Sequence, residues 1–394
     1  MATILTDISA LQFHRTPPAA LLMDPHPGDH PANAACPFTM DARRRNAPEC
    51  YKRINAEIDG VLAGITPPFH ILDTDMVRNR APHLILHSWD PPQSRELIHL
   101  SEGLFVTSPE QTLFDLSRTH KPVAVAKLMY EFCGLYTLAP LIQTLQTSTS
   151  AQNNMRPHAS TNLGAFYQAN GTPRSFLSCD NSPLAWEPCI QRNGNTSSLW
   201  KRPPLCTVDG LASFATAHES ERGIGTFKQA LRYVVPGSGS PAETIAALLL
   251  GPERWLGQEG FSNFLLNRRV ALSGPARESL GQDVCVVDIT WCDGPKVRRG
   301  CCIEIDGSAF HDDSLIDPHK LRSVNEDSAR RAALAHMGLE VVTLSWSQLV
   351  DINRWDTAMD LVYRKLNLYR RPPTCAFLKR RERFRREVFA PGIA

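Results

Sequence analysis

The pattern of hydrophobic and polar positions is clearest between residues 238 and 370, where helix-like and strand-like stretches follow one another. Ser240 and Pro241 open a helix that runs to about Leu250, because serine often caps a helix and proline suits its first turn. Short apolar and β-branched runs predict strands, and a longer stretch closed by Gly338 predicts another helix. The remaining predicted elements are a strand at 267–272, a hairpin within 284–306, a helix at 319–337, a strand at 340–346 and a helix at 355–368.

Carboxylates interrupt both strands of the predicted hairpin. Asp288 lies in the first strand, and Glu304 and Asp306 lie in the second. Side chains alternate across a strand, so Glu304 and Asp306 share a face. A turn through 293–295 brings Asp288 toward them, but the sequence does not fix the register of the two strands. Charged side chains are rarely buried without a partner or a metal. The acids therefore predict either a site for a hard cation such as Mg²⁺ or an exposed acidic edge.

This order of elements, with acids on the hairpin, resembles the PD-(D/E)XK nuclease superfamily and, more closely, its very-short-patch-repair-endonuclease-like branch. The resemblance covers roughly residues 238–370 and implies a C-terminal restriction-endonuclease-like αβββαβ core within an α/β (α+β) protein. The segments that carry it are DITW at 288–291, IEIDG at 303–307 with His311, Asp327 with Arg330 and Arg331, and GLEVVT at 338–343.

The resemblance implies that Asp288 and Glu304 bind Mg²⁺ or Mn²⁺ and that Asp306 assists them. Most members of the superfamily have lysine two positions after the second acid, where this chain has Asp306. The group that transfers a proton is therefore left open. His311 can exchange a proton near neutral pH, and two lysines are further candidates. These lysines are Lys296, in the hairpin turn, and Lys320, at the start of a helix.

Glu243 and two arginines each have two interpretations. Ser240 and Glu243 have the spacing of a capping box, in which the glutamate bonds the start of its own helix, whereas in many nucleases of the superfamily a glutamate of the first helix approaches the metal. Arg330 is three residues after Asp327, which is the spacing of a helical surface pair. The resemblance instead implies that this helix borders the active site, where Arg330 or Arg331 contacts a phosphate.

Positive charge is concentrated near the C-terminus. The formal net charge is only +2, but residues 364–387 hold ten Lys or Arg and two Glu. Such a segment can neutralise phosphates and bind nucleic acid in a salt-dependent way, or it can be a solvated basic tail. We predict a basic tail over 371–394. Its candidate nucleic-acid contacts are Lys379, Arg380 and Arg381.

The N-terminal half carries weaker patterns. Residues 1–60 have little periodicity and are predicted to be poorly ordered. Residues 61–145 predict a smaller mixed α/β domain, with strands in PHLILHSW and ELIHL and helices starting at Ser108 and Val123. The stretch 104–117 resembles N-terminal regions that accompany this nuclease-like domain in bacteria, and some of those regions are similar to antitoxin-type regulators. Within residues 146–237, the part up to about 210 is rich in Ser, Thr, Asn and Pro, which predicts a linker. The part after it has a helical pattern, which predicts a helical connection.

Cysteine usage and hydropathy restrict the class of protein. The eleven cysteines contain no C-x-x-C pair, which argues against a zinc site of that kind and for reduced, buried thiols. The chain shows neither a signal peptide nor an apolar run long enough for a membrane, so a cytoplasmic location is expected. The resulting hypothesis is a Mg²⁺-dependent DNA endonuclease or nickase. The alternative is a non-catalytic DNA-binding regulator, toxin–antitoxin-like, that retains a nuclease scaffold; a homodimer or a protein partner is left open.

Overall fold

The structure is a computed structural model in which two compact units are distinguished. The first unit comprises Met1–Thr119, Leu138–Arg174 and Ala394, and the second comprises His120–Thr137 and Ser175–Ile393. The structure describes residues 3–17, 53–73 with breaks, 83–87, 96–139 except 102, 186–190, 196–291, 300–306 and 324–393. The chain is mixed α/β, as the sequence predicted.

A five-stranded sheet organises the first unit. Its strands lie in the order β3-β2-β1-β5-β4, with β1 parallel to β5 and antiparallel to β2, and β2 parallel to β3. Helices before β2 and after β5 accompany it, and Leu5, Phe69 and Val106 lie in its apolar core. The elements are β1 (Thr3–Leu5), α1 (Asp7–Arg15), β2 (Phe69–Asp73), β3 (Leu84–His87), β4 (Leu97–Ser101), β5 (Leu104–Thr107) and α2 (Pro109–Ser117).

Two predictions for the N-terminal half require correction. Residues 3–15 of the segment 1–60, predicted to be poorly ordered, form β1 and α1, and β1 is the middle strand of the sheet. The predicted domain 61–145 is divided, because the helix α3 (Pro122–Phe132) belongs to the second unit. The strands predicted in PHLILHSW and ELIHL are confirmed and span 84–87 and 97–101. The helix start at Ser108 is also confirmed, because Ser108 Oγ accepts a hydrogen bond from Gln111 N (3.1 Å).

After α3, the second unit continues with a small sheet and two helices. Strands β6 (Tyr136–Leu138), β7 (Glu187–Ile190) and β8 (Thr196–Lys201) pair in the order β6-β8-β7, and they are followed by α4 (Val208–Ala217) and α5 (Ile224–Leu231). Strands β7 and β8 lie in a stretch predicted as linker. Trp200 of β8 is buried there, so this part of the polar stretch is packed and not a linker.

A four-stranded mixed sheet carries the candidate site. Strands β9, β10 and β11 are antiparallel neighbours, and β12 is parallel to β11, which gives the order β12-β11-β10-β9. Cys285, Val287 and Leu334 belong to the core that the sheet shares with its helices. The elements are α6 (Pro241–Leu250), β9 (Phe264–Ala271), α7 (Pro275–Leu280), β10 (Val284–Trp291), β11 (Gly300–Asp306), α8 (Val324–His336) and β12 (Leu339–Ser345).

Gly338 ends α8 as predicted, and its conformation explains the choice of residue. Its φ of 77° lies in the left-handed region, which glycine enters without a steric cost. The Gly338 carbonyl then accepts a hydrogen bond from Gly300 N (3.1 Å). This turn starts β12 alongside the first residue of β11, so the parallel pair begins in register.

The residues predicted as a basic tail form a packed helix instead. After α9 (Trp346–Val350) and α10 (Ile352–Lys365), the chain forms α11 (Cys375–Val388), which buries Phe377, Phe384 and Val388. Arg381 is 6% exposed and donates to both carboxylate oxygens of Asp356, at 2.6 and 3.0 Å. Burial raises the pKa of Asp356, but bonds from Arg381 and Arg370 outweigh that effect and hold its pKa below the usual value.

Candidate functional site

The hairpin register brings Asp288 and Glu304 to neighbouring positions of β10 and β11. Ile289 pairs with Ile303 and Thr290 with Cys302, so the next residues along the strands are Asp288 and Glu304. Asp288 is 4% exposed, and its Oδ2 accepts a hydrogen bond from Ile305 N (2.8 Å). A side-chain oxygen thus takes the place of a backbone acceptor at this point, which anchors the Asp288 carboxylate between the strands.

Glu304 is bound by an arginine of α8. Arg330 Nη2 lies 2.9 Å from Glu304 Oε1 and 3.0 Å from Oε2, and Arg330 Nε lies 3.2 Å from Oε2. The guanidinium also donates to the Val286 carbonyl of β10. Burial lowers the pKa of Arg330, but the charge and hydrogen bonds of Glu304 more than offset it, so that the pKa is raised. Paired charges with several bonds are the form in which a protein tolerates buried ions.

Neither prediction for Arg330 describes its position. Its guanidinium is buried and bonded to Glu304, so it is neither an exposed phosphate contact nor a partner in a surface pair. Arg331, the next residue, is exposed and lines a separate cavity of about 770 Å³ together with Gly300, Glu340 and Lys365. The structure therefore brings Arg330 to the carboxylates and places Arg331 near the opposite end of β11.

Four other predicted residues lie wholly or partly outside the described part of the chain. Asp306 ends β11, with its backbone paired to Ser345, but its side chain lies outside the described part of the chain. His311 and Lys320 also lie outside the described residues, as does Lys296. The choice of a proton-transferring group therefore stays as the sequence left it.

The bonds of Glu243 support the capping interpretation, although the amide that donates to its carboxylate is that of Gly239 and not that of the N-cap Ser240. Ser240 Oγ accepts a hydrogen bond from Glu243 N (3.3 Å), and the Glu243 carboxylate accepts bonds from Gly239 N (2.6 Å) and Ser240 Oγ (3.0 Å). Asn267 Nδ2 of β9 donates to the same carboxylate at 2.5 Å. Glu243 is fully buried and bound by these donors. Its geometry is that of a structural link between α6 and β9, which argues against the predicted role as a metal ligand.

The candidate nucleic-acid contacts of α11 divide by exposure. Lys379 and Arg380 are exposed, whereas Arg381 is directed into the protein and bonded to Asp356. The prediction that Arg381 contacts nucleic acid was therefore wrong, because a run of basic residues wound into a helix cannot present every side chain to solvent. Lys379 and Arg380 keep the exposure that such a contact requires.

A further group of metal-binding side chains lies in the first unit. Among the described residues, one group of three potential metal ligands has all its ligand atoms within 4.8 Å of one another. It consists of Asp7, His70 and His87. A candidate metal-binding group is thus present, and it consists of residues other than the predicted carboxylates. Sequence reasoning missed it because its members are far apart in the chain and match no ligand spacing.

Comparison with known proteins identifies no family for this chain. No protein-family model, curated protein or solved structure matches the chain. Every helix in the described part of the chain is too short or too polar to span a bilayer. The fold and the site therefore define a class only coarsely: a mixed α/β protein with a buried carboxylate–arginine cluster on a hairpin and a histidine-containing metal candidate.

Proposed function

We propose that the second unit hydrolyses phosphodiester bonds of DNA as a metal-dependent endonuclease or nickase. The observation that supports this proposal is the placement of Asp288 and Glu304 at neighbouring positions of adjacent strands. They lie within the element order α6-β9-α7-β10-β11-α8-β12, with β12 parallel to β11. Apart from the short helix α7, that order corresponds to the αβββαβ core implied by the PD-(D/E)XK resemblance, in which these two acids are the metal ligands.

The donor set fits a hard divalent cation. Mg²⁺ is usually held by one or two carboxylates, and its other positions are filled by water and substrate phosphates. A carboxylate has about four lone-pair positions, so Glu304 can accept a two-point contact from Arg330 and still offer lone pairs to a cation. Asp288 and Glu304 are therefore suitable ligands for Mg²⁺ or Mn²⁺, and Asp306, two residues further along β11, is the predicted third acid.

Each of these residues would have a defined role. A bound Mg²⁺ would polarise a phosphoryl oxygen and lower the pKa of a water molecule. Asp288 is fixed by its bond from Ile305 N, and Glu304 is fixed by Arg330, so both carboxylates are oriented before any ion or substrate arrives. Arg330 would act as a positioning residue and compensate part of the negative charge. His311 or Lys320 is the proposed proton-transferring group.

The proposal is tested with supercoiled plasmid and the full-length chain. We expect nicked or linear products with Mg²⁺ or Mn²⁺ and none with EDTA, because the carboxylates need the cation to bring a phosphate against them. A chain that binds DNA but leaves plasmid, linear and single-stranded DNA intact with either metal would contradict the catalytic proposal. That result would support the second candidate function.

The second candidate is a non-catalytic DNA-binding protein, possessing the same scaffold and acting as a regulator. The observation that favours it is that both carboxylate oxygens of Glu304 are bonded to Arg330, while Asp306 occupies the usual lysine position. In this alternative the ion pair replaces the metal as the partner of Glu304. Binding would depend on exposed cations such as Lys379 and Arg380 of α11.

Charge reversal on α11 tests this nucleic-acid interface. Lys379→Glu and Arg380→Glu should each weaken DNA binding uniformly across sequences, and the slope of log K against log salt concentration should fall by about 1 for each phosphate that the variant no longer neutralises. Arg222→Glu, an exposed arginine before α5, is the matched control. Fluorescence anisotropy at several salt concentrations measures the effect. Equal weakening by the α11 variants and by Arg222→Glu would exclude α11 as a specific contact surface.

A further inference from the structure

Three side chains of the first unit converge on one point. His70 Nδ1 lies 3.0 Å from His87 Nε2 and 3.5 Å from Asp7 Oδ1. The Asp7 side chain is 7% exposed and that of His70 is 14% exposed, while His87 is half-buried. The group is therefore largely shielded from water, with His87 its most accessible member.

Backbone contacts between their elements hold these side chains near one another. Asp7 is the first residue of α1 and adopts a φ of 52°, in the left-handed region that aspartate tolerates better than most residues. Thr6 N donates to the His70 carbonyl (3.0 Å), and His70 N donates to Ser9 Oγ (2.9 Å), so β2 is fastened to the start of α1. His87 is the last residue of β3, which runs parallel to β2.

The distances are suitable for a small metal ion. Zinc binds histidine nitrogens at about 2.0–2.1 Å in tetrahedral sites, so two such nitrogens lie about 3.3 Å apart. The His70 and His87 nitrogens, at 3.0 Å, need only a small movement to reach that separation. A single proton on His70 Nδ1 can be directed at one of its two neighbours, His87 or Asp7, whereas a metal ion at the centre of the group contacts all three.

We propose that Asp7, His70 and His87 bind a divalent transition metal of the zinc type in the first unit. Two imidazoles and one carboxylate suit zinc and its neighbours, whereas Mg²⁺ and Ca²⁺ prefer oxygen ligands. Three protein ligands leave a tetrahedral position for water or a substrate atom, which is the composition of a catalytic zinc site rather than a closed structural one. This site is separate in residues and in ligand chemistry from the carboxylates of β10 and β11.

The test is a titration of the metal-free full-length chain with Zn²⁺ and with Co²⁺. We expect one site that gives the visible absorption of four-coordinate Co²⁺ without a thiolate charge-transfer band, because no cysteine is among the ligands. His70→Ala and His87→Ala should weaken binding at this site by about 100-fold or more, since even outer-shell changes cost about 10–100-fold. His99→Ala, an exposed histidine of β4, is the matched control and should bind normally.

Two results would overturn the proposal. One is the absence of a thiolate-free Co²⁺ site in the wild-type chain, and the other is a site that persists unchanged in both His70→Ala and His87→Ala. Asp7→Asn provides a further variant if an alanine variant fails to fold, because asparagine can still accept the bond that Asp7 Oδ1 receives from Ile8 N (2.9 Å). It should weaken the metal affinity while circular dichroism stays that of the wild type. Asp288→Asn should retain the Co²⁺ site, which separates this test from the nuclease proposal.

Discussion

Asp288→Asn is expected to reduce metal-dependent DNA cleavage by about a thousandfold or more, because charge stabilisation by a bound metal contributes several kcal/mol and each 1.4 kcal/mol is about tenfold in rate. Asparagine has nearly the same shape and can still accept the hydrogen bond from Ile305 N. It lacks the negative charge that a divalent ion requires. The effect should therefore appear in the nicking rate of supercoiled plasmid while the fold remains intact.

Asp283→Asn is the control for this prediction. Asp283 immediately precedes β10 and pairs with Arg277, but its side chain is 71% exposed, so the substitution removes a carboxylate close in sequence without reaching the hairpin interior. Its cleavage rate should equal that of the wild type. Equal rates for Asp288→Asn and Asp283→Asn would show that any cleavage observed does not depend on the hairpin carboxylates.

The hairpin was predictable from the sequence as two strands, but its contacts were not. Alternating apolar positions around Asp288 and Glu304 give a strong local signal for strands, and the turn residues place the reversal. The register depends on which backbone groups pair, and here the Asp288 side chain occupies one acceptor position. The partner of Glu304 is 26 residues away on α8. A contact at that separation is set by how helix and sheet pack, which the local pattern does not encode.

The same limit explains the two largest errors in the fold. Thr3–Leu5 is too short to show a period, yet it is the middle strand because β2 and β5 both pair with it. The basic run of α11 looked solvated because its acidic partners are distant in the sequence: Arg381 is bonded to Asp356 and also lies 3.6 Å from Glu259. The local charge composition therefore does not indicate which basic side chains of α11 are exposed.

Arg330→Met is expected to destabilise the second unit by about 3 kcal/mol, near the low end of the range of about 3–5 kcal/mol for removing one partner of a buried ion pair. The low end applies because the Glu304 side chain is still 20% exposed, so water can compensate part of its charge. Urea denaturation measures the decrease in the free energy of unfolding. Arg331→Met, the adjacent but exposed arginine, should change that free energy by less than about 0.5 kcal/mol.

Adding Mg²⁺ to the Arg330→Met variant distinguishes the two proposed functions. If Asp288 and Glu304 bind a cation, Mg²⁺ supplies the positive charge that Arg330 provided to Glu304. A ligand that binds the folded state stabilises that state as the ligand concentration exceeds Kd. Mg²⁺ should therefore stabilise Arg330→Met more than it stabilises the wild type. The double variant Arg330→Met with Glu304→Gln should lose both the destabilisation and the response to Mg²⁺. A variant that stays destabilised at every Mg²⁺ concentration would mean that the carboxylates do not hold the ion. The bidentate pair would then be the final state of Glu304, and the hairpin would belong to a binding protein rather than to a nuclease.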